Sequence, residues 1–247
     1  MALISAGSTD IGLKRKTNQD ALYLSDELKL YMVADGMGGH NGGDIASQMA
    51  VTKFPHEFIK NTHLPPTEQI KTSFINTNQA IKSYANQHPE LIGMGTTIVN
   101  LYFDGPTLYI GNIGDSRAYL FSQQKIYQLT RDHSLVQEKL NYGVYNREQA
   151  LLDQQKNVLV KTVGFEDHTT PDIFNYKIIK HDLFLICSDG LHGKVSDEDI
   201  LFLSKECLRD PATATKENLQ NFVAQLIELA NSNGGQDNIT AIAVLAR

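Results

Sequence analysis

The chain has 247 residues, of which 41% are hydrophobic and 20% charged, and a formal net charge of -6. That composition excludes an intrinsically disordered chain, and the negative balance argues against a nucleic-acid binder, which concentrates basic residues on one surface. The two cysteines, Cys187 and Cys207, supply neither a disulfide framework nor metal-ligand spacing, and Cys187 in an apolar run reads as a core filler.

The opening stretch MALISAGSTDIGLKRKTNQD has no long apolar segment behind a basic start. No later stretch approaches about 18 uninterrupted apolar residues. A cytoplasmic protein without a membrane span is therefore expected, and 247 residues suit one domain. In chain order, short apolar or alternating runs predict about ten strands: ALISA, ALYLS, LKLYMVA, TTIVNLYF, TLYIGNI, RAYLF, KIYQL, DIFNYKII, DLFLICS and NITAIAVLA. Helical patterns fall near 43–60, 67–87, 133–142, 197–207 and 215–232, with Pro55 expected to kink or break the first. The second should pack Ile70, Phe74, Ile81 and the neighbours of Asn78 along one stripe. Strands come in adjacent groups instead of alternating with helices, which predicts an α+β architecture with antiparallel sheets and outer helices. The polar stretch 141–161 reads as a surface excursion.

Asp-Gly occurs three times. Asp104-Gly105 sits between two alternating runs and reads as a hairpin turn. Asp35-Gly36 and Asp189-Gly190 instead end apolar runs and lead towards helical patterns, either as unrelated caps or as a pair of site acids. Asp20, Asp115 and Asp237 add three acids at strand boundaries. If these loops converge, mutual repulsion raises their pKa values unless a cation neutralises them. Oxygen donors without His or Cys partners suit Mg²⁺ or Mn²⁺, not zinc. The glycines after Asp35 (Gly36, Gly38, Gly39, Gly42 and Gly43) are then expected to give backbone access to an ion and room for a substrate. A nucleotide loop is disfavoured, because GMGGHNGG lacks the Lys-Ser/Thr of a P-loop and the dinucleotide spacing. His40 could serve as an acid or simply face solvent. Arg15 offers a fork for phosphoryl oxygens, or is one member of a solvated KRK cluster, and Arg117 reads as an ion-pair partner of a nearby acid.

Five separated segments, GLKRKTNQDA, VADGMGGHNGGDIAS, GMGTTIV with IGNIGDSRAYL, LICSDGL and GGQDNITAIAV, together with LTRDHSLV, resemble in order the motifs of a known family. They are similar to metal-dependent serine/threonine protein phosphatases of the PPM or type 2C family in its compact bacterial form. The resemblance runs from about residue 5 to 245. It implies a four-layer sandwich of two antiparallel β-sheets flanked by α-helices, one catalytic domain over residues 1–247, and a flap-like segment around 141–165. It also implies Mn²⁺ or Mg²⁺ as cofactor, with two ions at the core site. Asp35 would bridge them, Gly36 would offer its carbonyl to one, and Asp189 and Asp237 would hold the other. Asp115 matches the acid of a third, weaker metal site, Asp20 would orient a metal-bound water, and Arg15 would grip the phosphate. The implied partners are phosphorylated proteins, a Ser/Thr kinase or its substrates.

The chain departs from the pattern at three places. Gln19 stands where many eukaryotic members have Glu, and Met37 where they carry a His proposed as general acid, so the leaving group would take its proton from water or a residue such as His40. LLDQQKNVLVKTVG differs from the usual flap. A catalytically silent phosphoprotein-binding module on the same fold is the alternative reading.

Overall fold

The computed structural model describes residues 2–146, 149–150, 153, 155, 157–167 and 169–247, with the side chains of residues 39–41 outside the description. The described residues form two antiparallel sheets. Sheet one, in spatial order, contains β1 (Leu3–Asp10), β11 (Ile239–Ala246), β10 (Leu183–Cys187), β7 (Arg117–Ser122) and β8 (Lys125–Gln128). Sheet two runs β2 (Asp20–Ser25), β3 (Leu30–Met37), β5 (Ile98–Asp104), β6 (Thr107–Ile113) and β9 (Asp172–Lys177), and the two-residue β4 (Gly95–Thr96) pairs with the end of β3. Every one of these pairings is antiparallel.

Alternation along the strands builds the layers, because successive side chains point to opposite faces. Tyr31 and Val33 of β3 face inward with Val99, Leu101 and Phe103, and meet Leu120, Phe184, Ile186, Ile242 and Val244 of sheet one in a core between the sheets. Leu30, Met32 and Ala34 point outward, beneath α1 (Gly39–Lys60) and α2 (Pro66–Gln87), against Phe54, Phe58, Phe74 and Ile81. On the other side, Ala241, Ala243 and Leu245 face α5 (Asp197–Cys207) and α6 (Lys216–Ser232) through Ile200, Phe222 and Leu226. The result is the expected helix-sheet-sheet-helix sandwich. The shorter described helices are α3 (Leu135–Asn141), α4 (Asp189–His192) and a 3₁₀ turn at Pro89–Leu91.

Most sequence expectations hold. Ile70, Phe74, Asn78 and Ile81 are buried on α2, Cys187 is buried, and Gly105 with Pro106 forms the turn between β5 and β6. Arg117 pairs with Asp132 through Nη2 at 2.7 Å and Nε at 3.0 and 3.2 Å. The described strands number eleven instead of ten, since β4 is too short to leave an alternation. α1 begins at Gly39 instead of 43 and runs unbroken through Pro55. Buried Phe54 and Phe58 anchor the helix on both sides of that proline, and packing overrides its poor propensity.

The stretch 141–165 lies partly outside the described residues. Its return is held to α2 by Asn78, only 2% exposed, whose Nδ2 donates to the Glu166 carbonyl at 2.9 Å and whose Oδ1 accepts from the Gly164 amide at 2.6 Å. Asn78→Ala leaves both groups without partners and is expected to cost about 1–3 kcal/mol in urea unfolding. A loss no larger than that of an exposed helix substitution would show that the tie contributes little.

Candidate functional site

The antiparallel register brings the strand-boundary acids to one end of the sandwich. Asp20, at the start of β2, stands opposite Asp35 near the end of β3. Asp189 follows β10, Asp237 precedes β11, and Asp115 lies in the turn joining β6 to β7. A cavity of about 580 Å³ opens there, lined by Arg15, Asp35, Gly36, Met37, Asp115, Asp189 and Asp237. Asp20 sits just behind its wall, 8% exposed, and is felt electrostatically by Asp35.

Backbone and neutral side chains hold the acids in place. The Asp35 amide donates to Thr97 Oγ1 at 2.9 Å, and its carbonyl accepts from the Thr97 amide at 2.8 Å and Thr96 Oγ1 at 2.9 Å. Ser188 Oγ donates to Asp20 Oδ2 at 2.7 Å while accepting from the Thr240 amide at 3.0 Å. Asp237 Oδ1 accepts from the Asn238 amide at 2.9 Å, and its Oδ2 accepts from Arg15 Nη2 at 2.7 Å. His192 donates Nε2–H to the Asp115 carbonyl at 3.0 Å. Its pKa is pushed down to about 3, chiefly by burial, so the ring is neutral and its tautomer fixed.

Asn238 Nδ2 donates to the carbonyls of Ile11 at 2.9 Å and Thr17 at 3.0 Å, and Oδ1 accepts from the Gln19 amide at 2.8 Å. One side chain thus closes the loop that carries Arg15. Thr97, Ser188, His192 and Asn238 were not singled out in the sequence. They carry no conspicuous charge, and only their position beside an acid motif (SDG, QDN) hinted at them.

The glycines after Asp35 serve tighter packing than expected. A Cβ on Gly36 would fall on the Gly43 carbonyl, one on Gly43 would come within 2.7 Å of Gln19 Nε2 and of the Gly36 carbonyl oxygen, and one on Gly42 within 2.8 Å of Met94 Cβ. They let the β3–α1 turn seat against the start of β2 and the segment before β4. Backbone approach to the cavity is the part of the expectation that Gly36 meets, since it lines the wall. The His40 side chain lies outside the described residues.

The charge pattern calls for cations. Desolvation first, then repulsion from Asp20, Asp189, Asp115 and Asp237, drives the Asp35 pKa well above the carboxylate range. Burial pushes Asp20 up to about 7 despite its hydrogen bonds, and Asp115 up to about 8, with Asp189 adding repulsion in both cases. Asp189 is raised by burial and then by Asp237. The Arg15 guanidinium is held charged above all by its hydrogen bond to Asp237. Asp20 Oδ1 and Asp189 Oδ1 are buried without a hydrogen-bond partner. Such orphaned oxygens in an all-oxygen donor set fit hard divalent ions. Among the described residues no three acidic, His or Cys side chains form a ready cage around one point. That is compatible with Mg²⁺ or Mn²⁺, which complete their octahedra with water.

Comparison with known proteins gives a family match and a fold match. The family model described as Protein phosphatase 2C matches residues 8–139. The Serine/threonine phosphatase stp of Listeria monocytogenes is 37% identical over 243 residues, covering 96% of this chain and 93% of that protein. The crystal structure of the Mycobacterium tuberculosis serine/threonine phosphatase PstP/Ppp superposes with a TM-score of 0.89 at 32% identity, covering 100% of both chains. The catalytic domain of PstP in complex with two manganese ions superposes with a TM-score of 0.84 at 31% identity, over 99% of each chain.

The raised pKa values make a prediction for the metal-free protein. A carboxylate whose folded pKa exceeds its unfolded value contributes stability that is full below the unfolded pKa and is lost as pH rises through the folded one. For Asp20 and Asp115 that loss is complete only above about 7 and 8. In EDTA the melting temperature should therefore fall between about pH 4 and pH 8, and the gain on adding Mn²⁺ should be larger at the higher pH. A gain independent of pH would detach these acids from the metal.

Proposed function

The chain belongs to the protein phosphatase 2C family and is a metal-dependent serine/threonine protein phosphatase, and we propose that the acid-lined cavity is its active site. The observation that carries this assignment is the convergence of five carboxylates with one paired guanidinium, two buried carboxylate oxygens being left without hydrogen-bond partners. Asp35, with the Gly36 carbonyl, would hold one ion and share in a second held by Asp189 and Asp237. Asp115 would hold a third, weaker ion. Mn²⁺ or Mg²⁺ bound there supplies Lewis acidity, lowering the pKa of a water and offsetting charge on phosphoryl oxygens.

The chain's own residues supply the positioning. Arg15 spends Nη2 on Asp237 and keeps donors on Nη1 and Nε for two phosphoryl oxygens. Its companion Asp237, just ahead of β11, fixes the fork in the direction of the cavity. Asp20 has Oδ2 fixed by Ser188 and leaves Oδ1 to orient a water and accept its proton. Thr97 and Thr96 hold Asp35 by its backbone, so its carboxylate is not spent on fixing the strand end. Met37 offers no proton to the leaving group. None of the acids on which the reading rests is replaced, which sets aside the silent-module alternative.

Residues 1–247 are taken as one catalytic domain, with the segment around 141–165 as a flap beside the cavity, since Asn157 and Leu159 line it. The substrates would be phosphoproteins made by a Ser/Thr kinase in the cytoplasm. No helix among the described residues is long and apolar enough to cross a membrane.

The test uses EDTA-stripped protein, para-nitrophenyl phosphate and a phosphothreonine peptide, with Mn²⁺, Mg²⁺, Ca²⁺ or no metal added back. Turnover is expected with Mn²⁺ or Mg²⁺, and none without metal. Asp35→Ala and Asp189→Ala should abolish it while keeping the circular dichroism spectrum, because each removes a cation's charge partner and no core packing. Arg15→Ala should raise KM about ten- to hundredfold, the cost of a lost charge-assisted contact. Wild-type rates in both Asp variants would overturn the site assignment, and an unchanged KM would return Arg15 to the solvent.

A further inference from the structure

The loop that presents Arg15 is built to hold a fixed shape. Its ends are clamped by Asn238, its Leu13 and Lys14 amides donate to the Gly235 carbonyl at 2.7 and 3.1 Å, and its Gly12 amide donates to Asp10 Oδ1 at 2.8 Å. Gly12 takes φ 78° and Gly235 φ 49°, left-handed conformations that let the two turns sit against each other. On this rigid mount stand three consecutive cations, Lys14, Arg15 and Lys16, in a stretch from Ile11 to Gln19 that holds no acid.

All three line the cavity, yet they are used differently. Arg15 is turned to Asp237, whereas Lys14 and Lys16 are exposed and, among the described residues, have no ion-pair partner. In a chain of 28 acids and 22 Lys and Arg, such a concentration of unpaired positive charge at the rim of a cavity with an acidic floor is notable for its place. Met37, Gly38, Asn157 and Leu159, also in the lining, carry no charge. Among the described lining residues the exposed formal charges are therefore the three cations of this loop.

We propose that Lys14 and Lys16 form a selectivity rim that favours phosphoprotein segments bearing Asp or Glu within two residues of the phosphorylated Ser or Thr. The inference rests on the active-site reading above. Arg15 in the middle of the triplet grips the phosphate, so its two neighbours flank the phosphorylated residue. An extended segment advances about 3.3 Å per residue, so side chains one or two positions away lie within reach of a lysine on either side. A basic flank would meet like charge at the same place. Complementary charge at a rim acts through weak, solvent-screened pairs, which sets a modest and salt-sensitive preference.

The experiment compares three phosphothreonine peptides of equal length, flanked by Asp and Glu, by Ala, or by Lys, on the full chain with Mn²⁺ and with para-nitrophenyl phosphate in parallel. Wild-type kcat/KM is expected to rank acidic over neutral over basic, with about three- to tenfold between the extremes. K14Q/K16Q should compress that range towards one, and so should added NaCl as the screening length shortens. Fluorescence anisotropy with non-hydrolysable phosphonate versions of the peptides should give the same ranking in Kd. Equal kcat/KM for all three peptides, or a ranking that survives K14Q/K16Q, overturns the rim while para-nitrophenyl phosphate turnover keeps the active-site reading intact. No turnover of any of the four substrates overturns that reading, and the rim with it.

Discussion

Mutual repulsion among Asp20, Asp35, Asp115, Asp189 and Asp237 is the constraint to which the rest of the molecule answers. Like charges brought out of bulk water repel more strongly, and one guanidinium does not offset five carboxylates. The free energy that keeps them together comes from the sandwich. Each acid sits at or beside the end of a strand whose remaining residues are locked by sheet hydrogen bonds and by the inter-sheet core of Tyr31, Phe103, Phe184 and Ile242. The fold acts as the spring-loaded support for a charge arrangement that protonation relieves.

Neutral groups hold much of the framework that carries these acids. Thr97 holds Asp35 through its backbone, Ser188 fixes one oxygen of Asp20, and Asn238 joins the start of β11 to the loop carrying Arg15. Such contacts let the oxygens that face the cavity remain unspent, the condition a preorganised electrostatic site requires. The glycines of the β3–α1 turn contribute in the same sense, by letting backbones meet where side chains would force the acids apart.

Much of this was legible in the sequence because the signals were local. Alternation in LKLYMVA and TTIVNLYF gave the strands, and an Asp closing each of two apolar runs gave the floor of the site. The ordered motifs around Arg15, Asp35, Asp115, Asp189 and Asp237 carried the family resemblance. What was not legible depends on partners far away in the chain. Ser188 and Asn238 are ordinary polar residues until Asp20 and Ile11 are brought to them. α1 could not be started correctly at Gly39, since the glycine-rich start argues against a helix by propensity, while Gly42 leaves no room for a side chain beside Met94. β4 is two residues long and exists only because β3 is there to pair with it.

The contact between Arg15 and Asp237 spans 222 residues. Closing a loop of that length costs chain entropy that is returned only when β1 and β11 zip together along their full register. The Arg15 guanidinium and the acid that aims it therefore come together in one long-range event, whatever the order of local steps before it. A chain with every helix formed but that pairing open would have a hydrophobic core in the making and no site at all, so competence to act and completion of the tertiary structure coincide in time.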